Sequence, residues 1–351
     1  MTVAPGLDTS GVDRAIRRLD AIRRAPESAP SAAGTFKEWL HFCVRVPGGH
    51  VIVNFSLLER RTPGGLAWSD AHLTVLAHRQ RWTGFIRSFP GRAVTMSEGG
   101  LEVAFGKSTV HWRDGAFRLA VADDGPVALR LDLVPAVMPT VSLGVERALH
   151  WVIVPRLRAR GTIWIDGERY EVDGAPAYHD HNWGDFAWGT DLAWEWGFVL
   201  PEDPACPWSV VFSRILSRGG RQTRKQGTIL WRGDRYVRTF NDDEMRVELE
   251  GRFRSDDARP LTLPPACSLL VPGRASGVPR ALALDAAGVG DELQLRFGTE
   301  SHARIAIPDD ENPFGMVLLN EATGRAAVRG RFAGEEFAFD APAIVEFVRG
   351  G

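Results

Sequence analysis

Short runs in which apolar and polar residues alternate follow one another along most of the chain. Residues 39–46 and 50–57 are two such runs, and the turn residues Pro47, Gly48 and Gly49 separate them. This pattern predicts two antiparallel strands joined by a tight turn. Similar runs recur to the end of the sequence, whereas helical periodicity is almost absent after residue 35. We therefore predict an all-β fold.

The strand pattern has a similar extent in the two halves of the chain. Regular short strands with turn residues between them are typical of antiparallel barrels and sandwiches. Residues 324–339 form the clearest hairpin, with Ala333 and Gly334 at its turn, and residues 343–348 predict a last strand. A closed barrel removes exposed strand edges and can enclose an apolar ligand. We predict two β-barrel domains, at residues 35–189 and 190–351.

Residues 1–34 have a different character from the rest of the chain. Residues 8–10 can cap a helix, and apolar residues then recur at helical spacing, namely Val12, Ile16, Leu19 and Ile22. The main interpretation is a short N-terminal helix that lies on the body of the protein. Because arginines surround the apolar positions, the alternative is a helix that lies on a membrane surface. Residues 25–34 are rich in Pro, Ser and Ala and predict a linker.

Composition and charge narrow the classes of partner. The net charge of -2 gives no electrostatic reason to expect nucleic acid. The cysteines, Cys43, Cys206 and Cys267, have neither disulfide-framework nor metal-site spacing, which favours a reducing compartment. We find no signal-peptide pattern and no apolar run long enough for a transmembrane helix. We therefore expect a cytoplasmic protein, with peripheral membrane contact through the helix as the alternative; the sequence leaves its oligomeric state open.

The most unusual stretch is residues 178–196, where two histidines, three aspartates, a glutamate and four tryptophans are concentrated. The chain has 12 tryptophans but only 3 tyrosines. Indoles supply apolar area and a π face, so this excess favours an apolar or cationic ligand. We interpret the stretch as the lining of a pocket.

Within this stretch, Tyr178, Asp180, His181, Trp183 and Gly184 match a Tyr-x-Asp-His-x-Trp-Gly motif. The motif resembles that of the carotenoid 1,2-hydratase (hydroxyneurosporene synthase) family. This family belongs to a wider group of two-domain lipocalin-like proteins that includes kievitone-type hydratases and fungal Diels–Alderases and cyclases.

Three other segments agree with the resemblance, namely residues 155–167, the Trp-x-Trp-Gly element at 194–197 and the closing segment 324–346. Residues 37–42 resemble the family's Glu-Trp-Trp-Tyr-Phe start, with Leu40 and His41 in place of aromatic residues. The resemblance implies two lipocalin-like barrels. It also implies a cofactor-independent hydratase or cyclase that acts on a hydrophobic isoprenoid or polyene.

Protonating an isoprenoid alkene requires an acid, a wall that stabilises a carbocation, and control over water. A carboxyl group in an apolar pocket keeps its proton to higher pH. We predict Asp180 as the acid, with His181 and Tyr178 as its catalytic partners. Glu195 and Asp185 are second-choice acids. The predicted substrate contacts are Asn182, Trp183, Trp188, Trp194, Glu195 and Trp196.

This assignment has a geometric condition. Successive side chains of a strand point to opposite faces, so Asp180 and His181 can share a site only if the strand bulges or ends there. Gly184 makes an ending plausible. If the strand is regular through Asn182, one of the two residues must leave the site.

Other functions stay open at the level of sequence. A pericyclase would fold a polyene in the pocket by shape alone, and a carrier would bind an apolar ligand without chemistry. The pair His179 and His181 could bind a metal on one strand face. It lacks a patterned third ligand, so we predict no metal and no cofactor. No nucleophile elbow, P-loop or dinucleotide fingerprint is present.

Overall fold

The computed structural model describes residues 7–23, 35–62, 65–97, 99–122, 124–143, 149–187, 192–217, 220, 222–254, 260–269, 277–310, 312 and 314–350. The chain forms two compact units, Met1–Phe186 and Ala187–Gly351. Each unit is built on one sheet, one of the two sheets is a nearly closed barrel, and a single α-helix lies within the described residues. The predicted all-β fold with a short N-terminal helix is confirmed.

In its described residues, the first unit contains one α-helix and twelve strands. They are α1 (Thr9–Leu19), β1 (Thr35–Val46), β2 (Gly49–Thr62), β3 (Gly65–His78), β4 (Trp82–Pro90), β5 (Val94–Met96), β6 (Glu102–Phe105), β7 (Ser108–Arg113), β8 (Ala116–Val121), β9 (Val127–Pro135), β10 (Thr140–Leu143), β11 (His150–Ile165) and β12 (Glu168–Asp185). The antiparallel order is β4-β3-β2-β1-β12-β11-β9-β8-β7-β6-β5, and β10 pairs with β11. The strand that carries the motif, β12, therefore lies between β1 and β11.

Large apolar side chains fill the core of the first unit. Phe42, Phe55, Phe105 and Phe117 are fully buried in it. Each lies at a position of its strand whose side chain points to the core, because successive side chains of a strand point to opposite faces of the sheet. We call this side of the sheet the core face and the other side the second face.

Helix α1 packs onto the same core. The side chain of Asp8 accepts a hydrogen bond from the backbone N–H of Gly11 at 3.0 Å, which caps the first turn. Val12 and Ile16 are buried members of the core cluster. At the other end, the guanidinium of Arg23 donates to the carbonyls of Arg18 and Leu19, at 3.1 and 3.0 Å. No helix in the described part of the chain is long and apolar enough to cross a membrane.

The second unit contains ten strands. They are β13 (Ala193–Val199), β14 (Trp208–Leu216), β15 (Thr223–Arg232), β16 (Arg235–Asn241), β17 (Met245–Glu250), β18 (Leu261–Leu263), β19 (Ala281–Ala287), β20 (Glu292–Pro308), β21 (Met316–Phe332) and β22 (Glu335–Gly350). The order is β16-β15-β14-β13-β22-β21-β20-β19-β17, and the short β18 pairs with β20 in parallel. The core face of this sheet carries Phe212, Phe240, Phe297 and Phe347.

Glycine-containing turns join the long hairpins as the sequence predicts. Ala333 and Gly334, with φ values of 50° and 82°, connect β21 and β22. Asp166 and Gly167, with φ values of 49° and 84°, connect β11 and β12 in the same way. Positive φ at both central residues gives a turn whose twist matches that of the strands. The hairpin predicted for residues 324–339 is confirmed.

Candidate functional site

Strand β12 runs through the whole motif without a break. Its pairing with β1 is continuous from Ala177 to Asp185, and it places His181 opposite Leu40 and Asp180 opposite His41. The strand does not end at Gly184, and no bulge occurs in this pairing. Asp180 and His181 therefore point to opposite faces, and the condition under which they could share one site is not met. The structure does not bring the predicted acid and the predicted histidine together.

The core face of β12 carries His179, His181 and Trp183. The ring of His179 stacks on Phe42, with centroids 4.1 Å apart. The guanidinium carbon of Arg23 lies 5.0 Å from the centroid of the Trp183 ring. Trp183 is half-buried and points away from Asp180.

Both histidines bind the side chain of Asp20, the residue that ends α1. His179 Nε2 lies 3.0 Å from Asp20 Oδ2, and His181 Nδ1 lies 3.0 Å from Asp20 Oδ1. His181 Nε2 contacts Glu38 Oε1 at 2.9 Å, and His179 Nδ1 donates to the carbonyl of His41 at 2.9 Å. We call Asp20, Glu38, His179 and His181 the core network. All four side chains are fully buried.

Charge is balanced within the core network. Burial alone would lower the pKa of His181, but its hydrogen bonds to Asp20 and Glu38 outweigh burial and raise the pKa to about 9. Burial would raise the pKa of Asp20, but the two histidines outweigh it and hold that pKa below its ordinary value. His181 is therefore an imidazolium at neutral pH, and Asp20 is a carboxylate.

The second face of β12 carries Tyr178, Asp180 and Asn182, all buried. The hydroxyl of Tyr178 donates to Asp180 Oδ2 at 2.8 Å, and the amide of Asn182 donates to Oδ1 at 2.7 Å. Each oxygen of Asp180 thus accepts a hydrogen bond, which is the pattern of a carboxylate and not of a proton donor. The role of Asp180 as an acid stays a prediction that this geometry does not favour.

Residues of the neighbouring strands complete this second-face group. Asn182 lies between Trp39 of β1 and Trp151 of β11 in the pairing register. His41 lies opposite Asp180. Burial, with a smaller contribution from His179, lowers the pKa of His41 to about 3, so its imidazole is neutral. We did not predict Trp39, His41 or Trp151 as site residues from the sequence. The pairing register places their side chains on the same face of the sheet as Asp180.

Two further residues near the end of the first unit were named from the sequence, Asp185 as a second-choice acid and Trp188 as a substrate contact. Asp185 is exposed at the end of β12. Trp188 lies outside the described residues. Among the described residues, no group of three or more His, Cys, Asp or Glu side chains has an arrangement that could hold a metal ion.

In the second unit, β13 divides the predicted residues between its two faces. Glu195 is fully buried, and Arg214 Nε donates to its Oε2 at 2.6 Å. Arg349 binds the other oxygen of Glu195. Two guanidinium groups stabilise a carboxylate, so Glu195 is not placed to donate a proton. Trp194 and Trp196 lie on the opposite face of the strand.

Trp194 and Trp196 lie next to two carboxyl groups that sequence reasoning missed. Glu346 of β22 is opposite Trp196 on one side and opposite Glu321 of β21 on the other. The carboxyl groups of Glu346 and Glu321 interact, and the indole N–H of Trp194 donates to Glu346 Oε1 at 2.5 Å. We call Glu321 and Glu346 the carboxyl pair. Trp194, Trp196 and Glu321 are 6%, 8% and 3% exposed.

Glu346 holds its proton to a higher pH than an ordinary glutamate. Burial raises the pKa of Glu346, although the hydrogen bonds from Glu321 and Trp194 act in the opposite direction. The sequence signal was weak but present. Glu346 is the only charged residue in the run Ala343-Ile-Val-Glu-Phe-Val348, where an acid in a buried strand needs a specific partner.

Comparisons with known proteins support the fold. No protein-family model matches the sequence, and no curated protein matches it significantly. Among solved structures, an AttH protein from Nitrosomonas europaea has a TM-score of 0.61 at 13% identity, over 99% of this chain and 98% of that one. Kievitone hydratase from Nectria haematococca has a TM-score of 0.57 at 13% identity, over 94% and 96% of the two chains. CghA has a TM-score of 0.60 at 13% identity, over 94% and 95%.

At this identity the likeness concerns the fold and not the activity. The wider group named by the sequence resemblance is supported as a fold, whereas membership of the carotenoid 1,2-hydratases themselves stays a prediction. The chain therefore has the fold that the AttH protein, kievitone hydratase and CghA share.

Proposed function

We propose that this protein is an enzyme that protonates a double bond of an apolar polyene and thereby hydrates or cyclises it. The observation that carries the proposal is the carboxyl pair, Glu321 and Glu346, under the indoles of Trp194 and Trp196. It combines a carboxyl group that retains a proton with aromatic walls. The sequence predicts Asp180 in this role, whereas the carboxyl pair and its indoles favour Glu346.

A proton on the pair follows from burial and proximity. Two carboxylates opposite each other on neighbouring strands repel each other, and burial raises the pKa of Glu346. We therefore assign one acidic proton to the pair.

The reaction needs only this proton and a water molecule. Transfer of the proton from the carboxyl pair to an alkene carbon breaks an O–H bond and forms a C–H bond, which leaves a tertiary carbocation on the neighbouring carbon. The pair is then doubly negative and stabilises the cation, and each indole face contributes roughly 0.5–2 kcal/mol. Water adds to the cation and returns a proton to the pair, which completes a hydration.

Cyclisation follows the same first step. A second double bond of the substrate attacks the cation, and loss of a proton to the pair ends the reaction. Neither route changes an oxidation state, so the chemistry calls for no redox cofactor. The proposed substrate class is a neutral, hydrophobic isoprenoid or related polyene, since a neutral alkene fits beside indoles better than an anion fits beside Glu346.

The test is turnover of linear isoprenoid polyenes in deuterated water by the full chain. Protonation at carbon places one deuterium in the product. A product that forms without deuterium would instead identify a cycloaddition. Binding without any product would identify a carrier, and either outcome would overturn the proposal.

A further inference from the structure

The side chain of Asp20, the C-terminal cap of α1, is enclosed in the first unit. It is fully buried, and both of its oxygens bind imidazole nitrogens of β12 at 3.0 Å. The proposed reaction makes no use of this contact, which lies on the core face of β12.

The position of Asp20 is unfavourable for the helix itself. Asp20 is the C-terminal cap of α1, and its backbone N–H donates to Ile16 at 2.9 Å. The C-terminus of a helix carries partial negative charge, so a carboxylate there is repelled. The residue therefore stabilises the fold through His179 and His181, and not through the helix.

Each ring nitrogen of the two histidines has an oxygen partner. His179 Nδ1 donates to the carbonyl of His41, and its Nε2 meets Asp20 Oδ2. His181 contacts a carboxylate oxygen with each ring nitrogen. Asp20 is therefore the acceptor that the two rings share.

The other charged and titratable groups around the core network have partners of their own. Arg23 donates its backbone N–H to Glu38 Oε1 at 2.6 Å, while its guanidinium lies over Trp183 and binds helix carbonyls. His150 of β11 stacks against Trp183, and the centroids of the two rings are 5.4 Å apart. His41 of β1 contributes its backbone carbonyl to the network, and its own ring lies on the second face.

We propose that His179 and His181 form a binding site for a carboxylate inside the first unit, which Asp20 fills and which a free small carboxylate can fill in its place. The two ring nitrogens each meet a different oxygen of Asp20, a bridging arrangement that suits a planar carboxylate. Helix α1 is thus tied into the core by a side chain that a soluble ligand can replace.

The removal of Asp20 creates a defined vacancy. In Asp20→Ala, two N–H donors lose their acceptor and the network gains a net positive charge in a buried place, which is costly. Formate has the size of the lost carboxyl group and restores both the charge and the hydrogen bonds. The helix keeps its other anchors, which include Val12, Ile16 and the bond from Trp112 Nε1 to Asp13 Oδ1 at 2.7 Å.

The experiment is thermal unfolding of the full chain in increasing sodium formate, with sodium chloride at equal ionic strength as reference. For Asp20→Ala, each tenfold rise in formate above its dissociation constant should raise the unfolding midpoint by roughly 3–6 °C. Asp13→Ala is the matched control, since it also removes an aspartate of α1 but leaves the network intact. Asp20→Asn fills the vacancy with an amide. Neither control should respond to formate beyond its response to chloride.

Two results would overturn the proposal. One is an Asp20→Ala midpoint that does not depend on formate, and the other is an equal formate effect in the parent protein, which would be a general salt effect. If Asp20→Ala does not fold in buffer, its refolding yield is measured in formate and in chloride. Equal yields would contradict a carboxylate site, whereas recovery in formate alone would support it.

Discussion

Glu321 and Glu346 lie directly opposite each other on β21 and β22, and their carboxyl groups interact. The indole N–H of Trp194 binds Glu346 from the adjacent strand β13. Two acids that share one proton can act as both the proton donor and the proton acceptor of a reaction. The proposed hydration or cyclisation depends on this contact between Glu321 and Glu346.

Replacement of Glu346 by Gln should remove the acid while keeping the size of the side chain. General acid catalysis contributes about 10²–10⁴-fold, so we expect a fall in kcat of at least about 100-fold with an isoprenoid polyene as substrate. Glu336→Gln is the matched control because Glu336 lies on the same strand and is exposed. Equal rates for the two variants would remove Glu346 from the chemistry.

Replacement of Trp194 by Phe should change the pH dependence of the reaction. The hydrogen bond from Trp194 lowers the pKa of Glu346, so its loss should raise that pKa further. Activity needs protonated Glu346 and decreases as pH rises through its pKa; in Trp194→Phe this decrease should move to higher pH. Trp208→Phe, in which a buried ring stacked on Phe337 is altered, should leave the pH profile of kcat in place. A profile unchanged by Trp194→Phe would contradict the assignment.

Replacement of Asp180 by Asn tests whether Asp180 or Glu346 is the acid. In the structure Asp180 accepts hydrogen bonds from Tyr178 and Asn182, so the variant should lose about 1–3 kcal/mol of folding free energy through a mismatched donor. We expect its kcat, measured below its unfolding temperature, to fall by less than about tenfold. A loss as large as that predicted for Glu346→Gln would return the acid role to Asp180.

Much of the fold could be predicted because its signals are local. The turns Asp166-Gly167 and Ala333-Gly334 join runs of alternating residues, and both halves of the chain show this alternation. Strand alternation also predicted that Asp180 and His181 can share a site only if the strand bulges or ends there. Strand β12 is regular, so the two side chains lie on opposite faces.

The site was harder to predict because its contacts join distant parts of the chain. Asp20 and His181 are 161 residues apart, and strand alternation alone gives no sign that the end of α1 enters the core. The carboxyl pair depends on the register of β21 against β22, which places Glu321 opposite Glu346 and not opposite an apolar neighbour. Glu195 was selected for its place among tryptophans, but its partners Arg214 and Arg349 come from other strands.

The core network predicts a loss of stability at alkaline pH. The pKa of His181 is about 9 in the folded chain, whereas an unperturbed histidine, as in the unfolded chain, has a pKa of 6.5. The associated stability is fully present below pH 6.5 and is lost as pH rises through about 9, because the unfolded chain releases this proton first. The difference corresponds to about 3 kcal/mol.

Urea unfolding of the full chain between pH 6.5 and 9.5 measures this effect. His181→Gln should be less stable than the parent at the lower pH and should lose much less stability as the pH rises. His111→Gln, a change outside the network, should retain the parent's pH dependence. A parent protein whose stability is constant across this range would contradict the charge balance assigned to the core network.

The most direct test of the proposed function is the titration of glutamate carboxyl groups by carbon-13 NMR in the parent, Glu321→Gln and Glu346→Gln. We expect two coupled carboxyl titrations in the parent protein, one of them at a higher pH than those of the exposed glutamates. The coupling should disappear in each variant. If Glu321 and Glu346 instead titrate independently, together with the exposed glutamates, the pair holds no shared proton and the proposed acid is contradicted.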